Sequence, residues 1–160
     1  MQSDPDKLAA LIDTARALDG AGVRYALIGG LAVGMHTGLP RATIDVDVAA
    51  HLGAGRETAV KALERAGLQK TGEFEHSVNF RHATGEPVQL AFDVAFDAMI
   101  ERAEGIDVAG TRIMVVGKED LIAMKRRAAA DPARRKSKRL RDQSDIELLL
   151  GDLPGSNEGW

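Results

Sequence analysis

Apolar and polar residues recur in two rhythms along this chain, and the rhythms lay out its elements. Leu8, Leu11, Ile12, Ala15 and Leu18 keep helical spacing, with Asp4 placed to cap and Pro5 suited to a first turn. Pro5 to Leu18 therefore reads as a helix, ended by Gly20 and Gly22. Arg24 to Ile28 is a short strand that runs into Gly29-Gly30, and Leu31 to His36 resumes as a helix closed by Gly38 and Pro40. Ile44 to Ala49 is the next strand, and Arg56 to Ala66 is an amphipathic helix ending at Gly67. Val78 to His82 and Val88 to Phe96 read as two strands joined by the turn-rich Thr84-Gly85-Glu86-Pro87. Val108 and Thr111 to Val116 flank Ala109-Gly110 as a hairpin, and helices over Lys118 to Ala130 and Arg139 to Leu150 follow. Strands and helices alternate first and helices come last. That order predicts an α/β (α+β) fold around one short mixed sheet, flanked by helices. Residues 1–152 form one expected domain, with a helical part at about 117–151 and a loose polar tail at 153–160.

Composition narrows the class. The 160 residues are 44% hydrophobic and 28% charged, enough for a core and ordinary for a water-facing domain. The absence of cysteine excludes disulfides and Cys-based zinc sites. No apolar run is long enough to span a bilayer, and the acidic start MQSDPDKLAA lacks the flanks of a secretion signal, so a cytoplasmic location without membrane attachment is expected. Charge is uneven. Residues 125–160 hold nine Lys/Arg against six Asp/Glu, while residues 1–124 hold twelve against eighteen. The basic excess sits between Lys125 and Arg141, where a solvated helical face and a polyanion-docking surface both account for it.

Chemistry concentrates in two places. Asp45 and Asp47 lie two apart on a strand and so share a face, while Ile44, Val46 and Val48 face the core. Two adjacent carboxylates disfavour each other's ionisation unless a cation lies between them, and Mg²⁺ is the natural cation for an all-oxygen site. In Leu90 to Phe96 the apolar residues alternate, which sends Asp93 to the opposite face between Ala91 and Ala95. Three carboxylates on two strands suit a two-metal phosphoryl-transfer site, so two Mg²⁺ ions are expected. Gly29-Gly30 stands at a strand-to-helix turn, where a bare backbone and free helix N–H groups receive an anion such as an NTP phosphate. Either motif alone is common; the order Gly-Gly, Asp-x-Asp, strand Asp is more specific. His36, His51, His76 and His82 show no metal spacing, and Ser77 has no triad partners.

The stretch GGLAVGMHTGLPRATIDVDV resembles the signature of the DNA polymerase beta-type nucleotidyltransferases, and in particular the AbiEii-like nucleotidyltransferases, toxins of abortive-infection toxin–antitoxin systems. Arg41 to Asp47 is similar to their R-x-T-x-D-x-D pattern, Asp120 to Lys125 to their DLIAxK helix, and Arg141 to Ile146 to their closing R-D-x-x-D element. The similarity runs from about Tyr25 to Leu150. It implies a minimal polymerase beta-like fold and the transfer of a nucleoside monophosphate from an NTP to an acceptor hydroxyl. Gly29 and Gly30 would contact the NTP phosphates, with Arg41 beside them. Asp45 and Asp47 would bind the metal that carries the triphosphate, and Asp93 a second metal. Lys125 would neutralise the triphosphate, with Asp145, or alternatively Asp142, supporting it.

Several acceptors stay open. RNA, a tRNA end above all, suits the toxin resemblance and the basic 125–141 region. A small molecule such as an aminoglycoside suits the shared Gly-Gly and Asp-x-Asp core, and a partner protein's side chain is the third candidate. A catalytically silent module that regulates an antitoxin or other partner belongs to a different class.

Overall fold

The computed structural model describes residues 4–39 and 45–155. Helix α1 (Pro5–Gly20) is capped by the Asp4 side chain, which accepts from Asp6 N at 2.8 Å, and it buries Ala10, Leu11, Ala15 and Leu18. Strand β1 (Tyr25–Ile28) is buried along its whole length. Helix α2 (Gly29–Thr37), strand β2 (Val46–Ala50), a 3-10 turn (Leu52–Ala54) and helix α3 (Arg56–Arg65) follow. Next come β3 (Gln69–Glu73), β4 (Ser77–Arg81), β5 (Pro87–Ala91), α4 (Val94–Glu101), β6 (Glu104–Val108) and β7 (Thr111–Val115). Helices α5 (Lys118–Ala130) and α6 (Lys136–Leu149) come last.

The seven strands form one mixed sheet in the order β3-β4-β5-β2-β1-β7-β6. Pairs β2–β5 and β1–β7 are parallel, and the remaining neighbours are antiparallel. β1 and β2 are central, which explains their apolar content: Tyr25 to Leu27, Val46, Val48 and Ala49 are at most 2% exposed. Among the described residues no helix is long and apolar enough to cross a membrane.

Most expected elements stand within a few residues of their predicted bounds, with two differences. Strand β3 was not anticipated, because QKTGE carries no apolar alternation; it is an exposed edge strand paired to β4 through a bulge between Lys70 and Gly72. The strand expected over Val88 to Phe96 ends at Ala91, and the chain turns into α4. The apparent alternation failed at Val94, which is 74% exposed. The true signal is helical: Asp93 caps by accepting from Ala95 N at 2.9 Å, and Phe96, Met99 and Ile100 pack inward at i, i+3, i+4. Asp97 lies in the first turn of α4, where its Oδ1 accepts from Leu52 N at 3.2 Å.

One arginine ties the β3–β4 hairpin to the body of the fold. Arg56, at the start of α3, donates to the carbonyls of Phe74, Glu75 (2.6 Å) and Ser77 (3.3 Å), and its guanidinium stacks over the Phe92 ring at 5.3 Å. The Ser77 carbonyl also accepts from Phe74 N at 2.8 Å, so the arginine adds to the turn's own closing bond. Arg56→Ala is expected to lower unfolding free energy by about 2 kcal/mol, the scale of charge-assisted hydrogen bonds, in urea titrations. Arg56→Lys should recover part of that loss, and a fully stable Arg56→Ala would refute the clasp.

Candidate active site

The chain leaves β1 at Gly29, which adopts φ 72° and opens α2. Ile28 lies opposite Asp47 across the antiparallel β1–β2 pair. A Cβ on Gly29 would come 2.5 Å from Asp47 Oδ2. The missing side chain therefore does two things: it permits the left-handed turn, and it lets the carboxylate lie directly over the backbone at the first turn of α2. There the N–H groups of the helix lack internal acceptors and offer themselves to an anion. Gly30 follows as the second residue of α2. His36, further along that helix, bonds the Val116 carbonyl through Nε2 at 2.6 Å and so fastens α2 to the end of β7.

Asp47 Oδ1 is buried and has no hydrogen-bond partner among the described residues. Burial, followed by the neighbouring charge of Asp45, pushes the Asp47 carboxyl up from 3.8 to about 6. The charges of Lys125, Arg134 and Lys138 pull it the other way, so three cations from the α5–α6 region face this carboxylate. A buried carboxylate with one unpartnered oxygen, next to a second aspartate, is the donor set that a hard divalent cation fits.

Helices α5 and α6 pack against each other and both contact α2. From α5, Lys125 reaches Asp142 Oδ1 at 3.3 Å and Asp145 Oδ2 at 3.1 Å on α6. Those carboxylates are 1% and 0% exposed. Arg134, in the α5–α6 connection, donates from Nε to Asp142 Oδ2 at 2.8 Å. Both acids thus hold the ammonium, and Asp142 also holds Arg134, a cation of the basic 125–141 region.

The structure does not bring Asp93 to Asp45 and Asp47. In the parallel β2–β5 pair the residue opposite Asp47 is Gln89, with Ala49 opposite Ala91. Asp93 lies four residues beyond Gln89, about 13 Å further along the strand direction at the usual rise. Its Oδ1 is engaged in capping α4. The assignment of Asp93 to the metal set is corrected accordingly, because it rested on a strand that continued to Phe96. Asp93 instead borders a cleft of about 510 Å³ between α4 and α5, with Phe96, Met124, Arg127 and Asp131. Among the described residues, the three acids close enough to share an ion are Asp4, Asp6 and Glu86, at the start of α1 and the β4–β5 turn, away from these elements. Arg41 lies outside the described residues, as does the tail from residue 156 onward.

Solved structures share this fold at low identity. The lincomycin-bound lincosamide antibiotic adenylyltransferase LnuA matches with a TM-score of 0.64 at 15% identity, over 94% of this chain and 99% of that one. The antibiotic-resistance factor ANT(2'')-Ia matches with a TM-score of 0.66 at 18% identity, over 93% and 86%. An antigenic nucleotidyltransferase-like protein from Paracoccidioides brasiliensis matches with a TM-score of 0.62 at 20% identity, over 96% and 80%. No curated protein sequence matches the chain. The model of the nucleotidyl transferase AbiEii toxin family, type IV toxin–antitoxin system, matches residues 13–158, nearly the whole chain. With Gly29, Asp45, Asp47 and Lys125 assembled at one end of the central strands, the chain belongs to the AbiEii nucleotidyltransferase family.

Proposed function

We propose that this enzyme transfers a nucleoside monophosphate from an NTP to a hydroxyl of RNA, with a tRNA end as the favoured acceptor, as the toxin of a toxin–antitoxin pair. The observation that carries the transfer chemistry is Asp47 set over Gly29, facing the clamped Lys125. In this reading the triphosphate lies along the first turn of α2, with Gly29 and Gly30 giving it room. Lys125, held by Asp142 and Asp145, balances its charge. Asp45 and Asp47 would hold the divalent cation, and Mg²⁺ there would supply positive charge to the phosphates. The acceptor oxygen bonds to the α-phosphorus, the bond from that phosphorus to the β-bridging oxygen breaks, pyrophosphate leaves, and the acceptor's proton passes to water.

Charge supports RNA as acceptor. Residues 125–141 contain nine Lys/Arg and a single acid, Asp131. Arg126, Arg127, Arg135, Lys136 and Lys138 are exposed there. A polyanion is attracted to that surface and a polycation repelled. The second reading is a small-molecule acceptor in the cleft of about 510 Å³ beside Asp93, Phe96 and Met124, whose size suits a compact ligand.

Labelled NTPs offered with Mg²⁺ and total tRNA should label the tRNA. Asp47→Ala should reduce transfer at least about a hundredfold, the scale of losing a principal electrostatic group. Tenfold higher salt should weaken tRNA binding steeply. Label that appears on a small hydroxylated molecule but not on tRNA would favour the cleft reading, and full activity in Asp47→Ala would overturn the assignment.

The raised pKa of Asp47 has a consequence for stability. In metal-free protein between pH 3.8 and about 6, the folded state holds a proton on Asp47 that the unfolded chain has released. Stability therefore falls as pH rises through that window and stays reduced above it. The gap corresponds to about 3 kcal/mol. Asp47→Asn is expected to raise the melting temperature of the metal-free protein by several degrees at pH 7.5, and by little at pH 4, while removing activity. A lower melting temperature at pH 7.5 would contradict this account.

A further inference from the structure

Register, rather than spacing, decides what faces the cation site. Asp47 on β2 is paired with Gln89 on β5, and Gln89 is paired with Asn79 on β4. Register partners on adjacent strands project from the same face of a sheet, about 4.8 Å apart. The three side chains are each half-buried, while Val46, Val48, Val78, Phe80, Val88 and Leu90 on the opposite face are almost fully buried. A polar row thus crosses three strands as carboxylate, amide, amide. The oxygen atoms Asp47 Oδ1 and Asn79 Oδ1 are both buried without partners among the described residues, one on either side of Gln89.

A second metal ion would need a carboxylate on the strand beside Asp47, level with it. That place is held by Gln89. The nearest later acid on the same strand line, Asp93, has passed onto α4 and spends its oxygen on the cap. An amide oxygen is neutral and a weaker ligand for Mg²⁺ than a carboxylate, and dedicated magnesium sites draw mainly on carboxylates and phosphates. Two ions about 4 Å apart would here face only two carboxylates, Asp45 and Asp47, and their mutual repulsion would be poorly offset.

We propose that this active site holds a single divalent cation, the one carried by the triphosphate, and that Gln89 occupies the place of the second ion's ligand. The inference rests on the nucleotidyltransferase reading and refines it. Gln89 can donate from its amide nitrogen and accept at its oxygen, so it orients an acceptor hydroxyl by hydrogen bonding. It does not draw the hydroxyl's proton away electrostatically. Asn79 continues the same hydrogen-bonding surface towards the sheet edge.

The test counts ions. Mn²⁺ is titrated into the full chain with a non-hydrolysable NTP analogue, and bound Mn²⁺ is measured by electron paramagnetic resonance. Wild-type protein is expected to bind one Mn²⁺ per chain. Gln89→Glu, nearly isosteric, should bind two, and its transfer rate should rise at least tenfold. Gln89→Asp serves as a second carboxylate variant should the first fold poorly, with circular dichroism confirming structure in each. Two Mn²⁺ in the wild type, or one in both folded carboxylate variants, would overturn the single-cation assignment while leaving the nucleotidyltransferase reading intact. No Mn²⁺ and no analogue bound by the wild type would instead remove the nucleotidyltransferase reading, and the assignment with it. Asp93→Asn is expected to leave the ion count at one; a drop to zero would show that Asp93 reaches the site after all.

Discussion

A carboxylate lying on bare backbone governs this molecule. Asp47 occupies the volume that any side chain at residue 29 would fill, at the point where β1 becomes α2. The left-handed turn at Gly29, the entry angle of α2 and the direction of the Asp47 side chain are therefore one geometric decision. The carboxylate is buried and only partly compensated, which is costly in the isolated chain and useful once positive charge arrives. Sites that bind charge commonly keep such an imbalance, because the ligand then supplies what the fold lacks.

The cations around it are treated differently. Lys125 and Arg134 are anchored to buried acids on α6, so they meet the site already oriented and with their desolvation offset. Removing a partner from such a buried set is expensive, which holds the α5–α6 pair in one arrangement where it meets α2. Arg126, Arg127, Arg135, Lys136, Lys138 and Arg141 of the same region are exposed, and they act at longer range through salt-sensitive fields. Preorganised charge for chemistry and diffuse charge for attraction thus come from one helical pair.

Much of the fold was legible in the sequence because the central strands are apolar and the helices amphipathic. Tyr25 to Ile28, Val46 to Ala49 and Ile113 to Val115 read correctly since all but Asp47 and Met114 in them are buried apolar residues. β3 was illegible because an exposed edge strand takes its structure from its partner and needs no apolar pattern. Gly29, Asp47, Lys125, Asp142 and Asp145 each stand in a local motif, and the structure sets Asp47 over Gly29 and both later acids on Lys125. Asp93 misled because two residue periods overlap at Leu90 to Phe96, and a period of two was preferred where a helix had begun. Gln89 and Arg134 carried no local signal: one matters through strand register and the other through a partner eight residues on, and neither relation is written in neighbouring letters.

The order in which the parts occur along the chain has a temporal meaning. Tyr25 to Ala50 contributes the Gly29 turn and both aspartates of the Asp45–Asp47 pair, but β5 joins β2 only after the α3–β3–β4 excursion, and β7 joins β1 later still. The anchoring acids of Lys125 come on α6, the last of the helices. As the ribosome delivers the chain from the N-terminus, the negative half of the site emerges well before its positive half is locked. A nascent chain therefore carries the carboxylate pair before any lysine is oriented beside it, and the charge balance around Asp47 is completed only when α6 has docked.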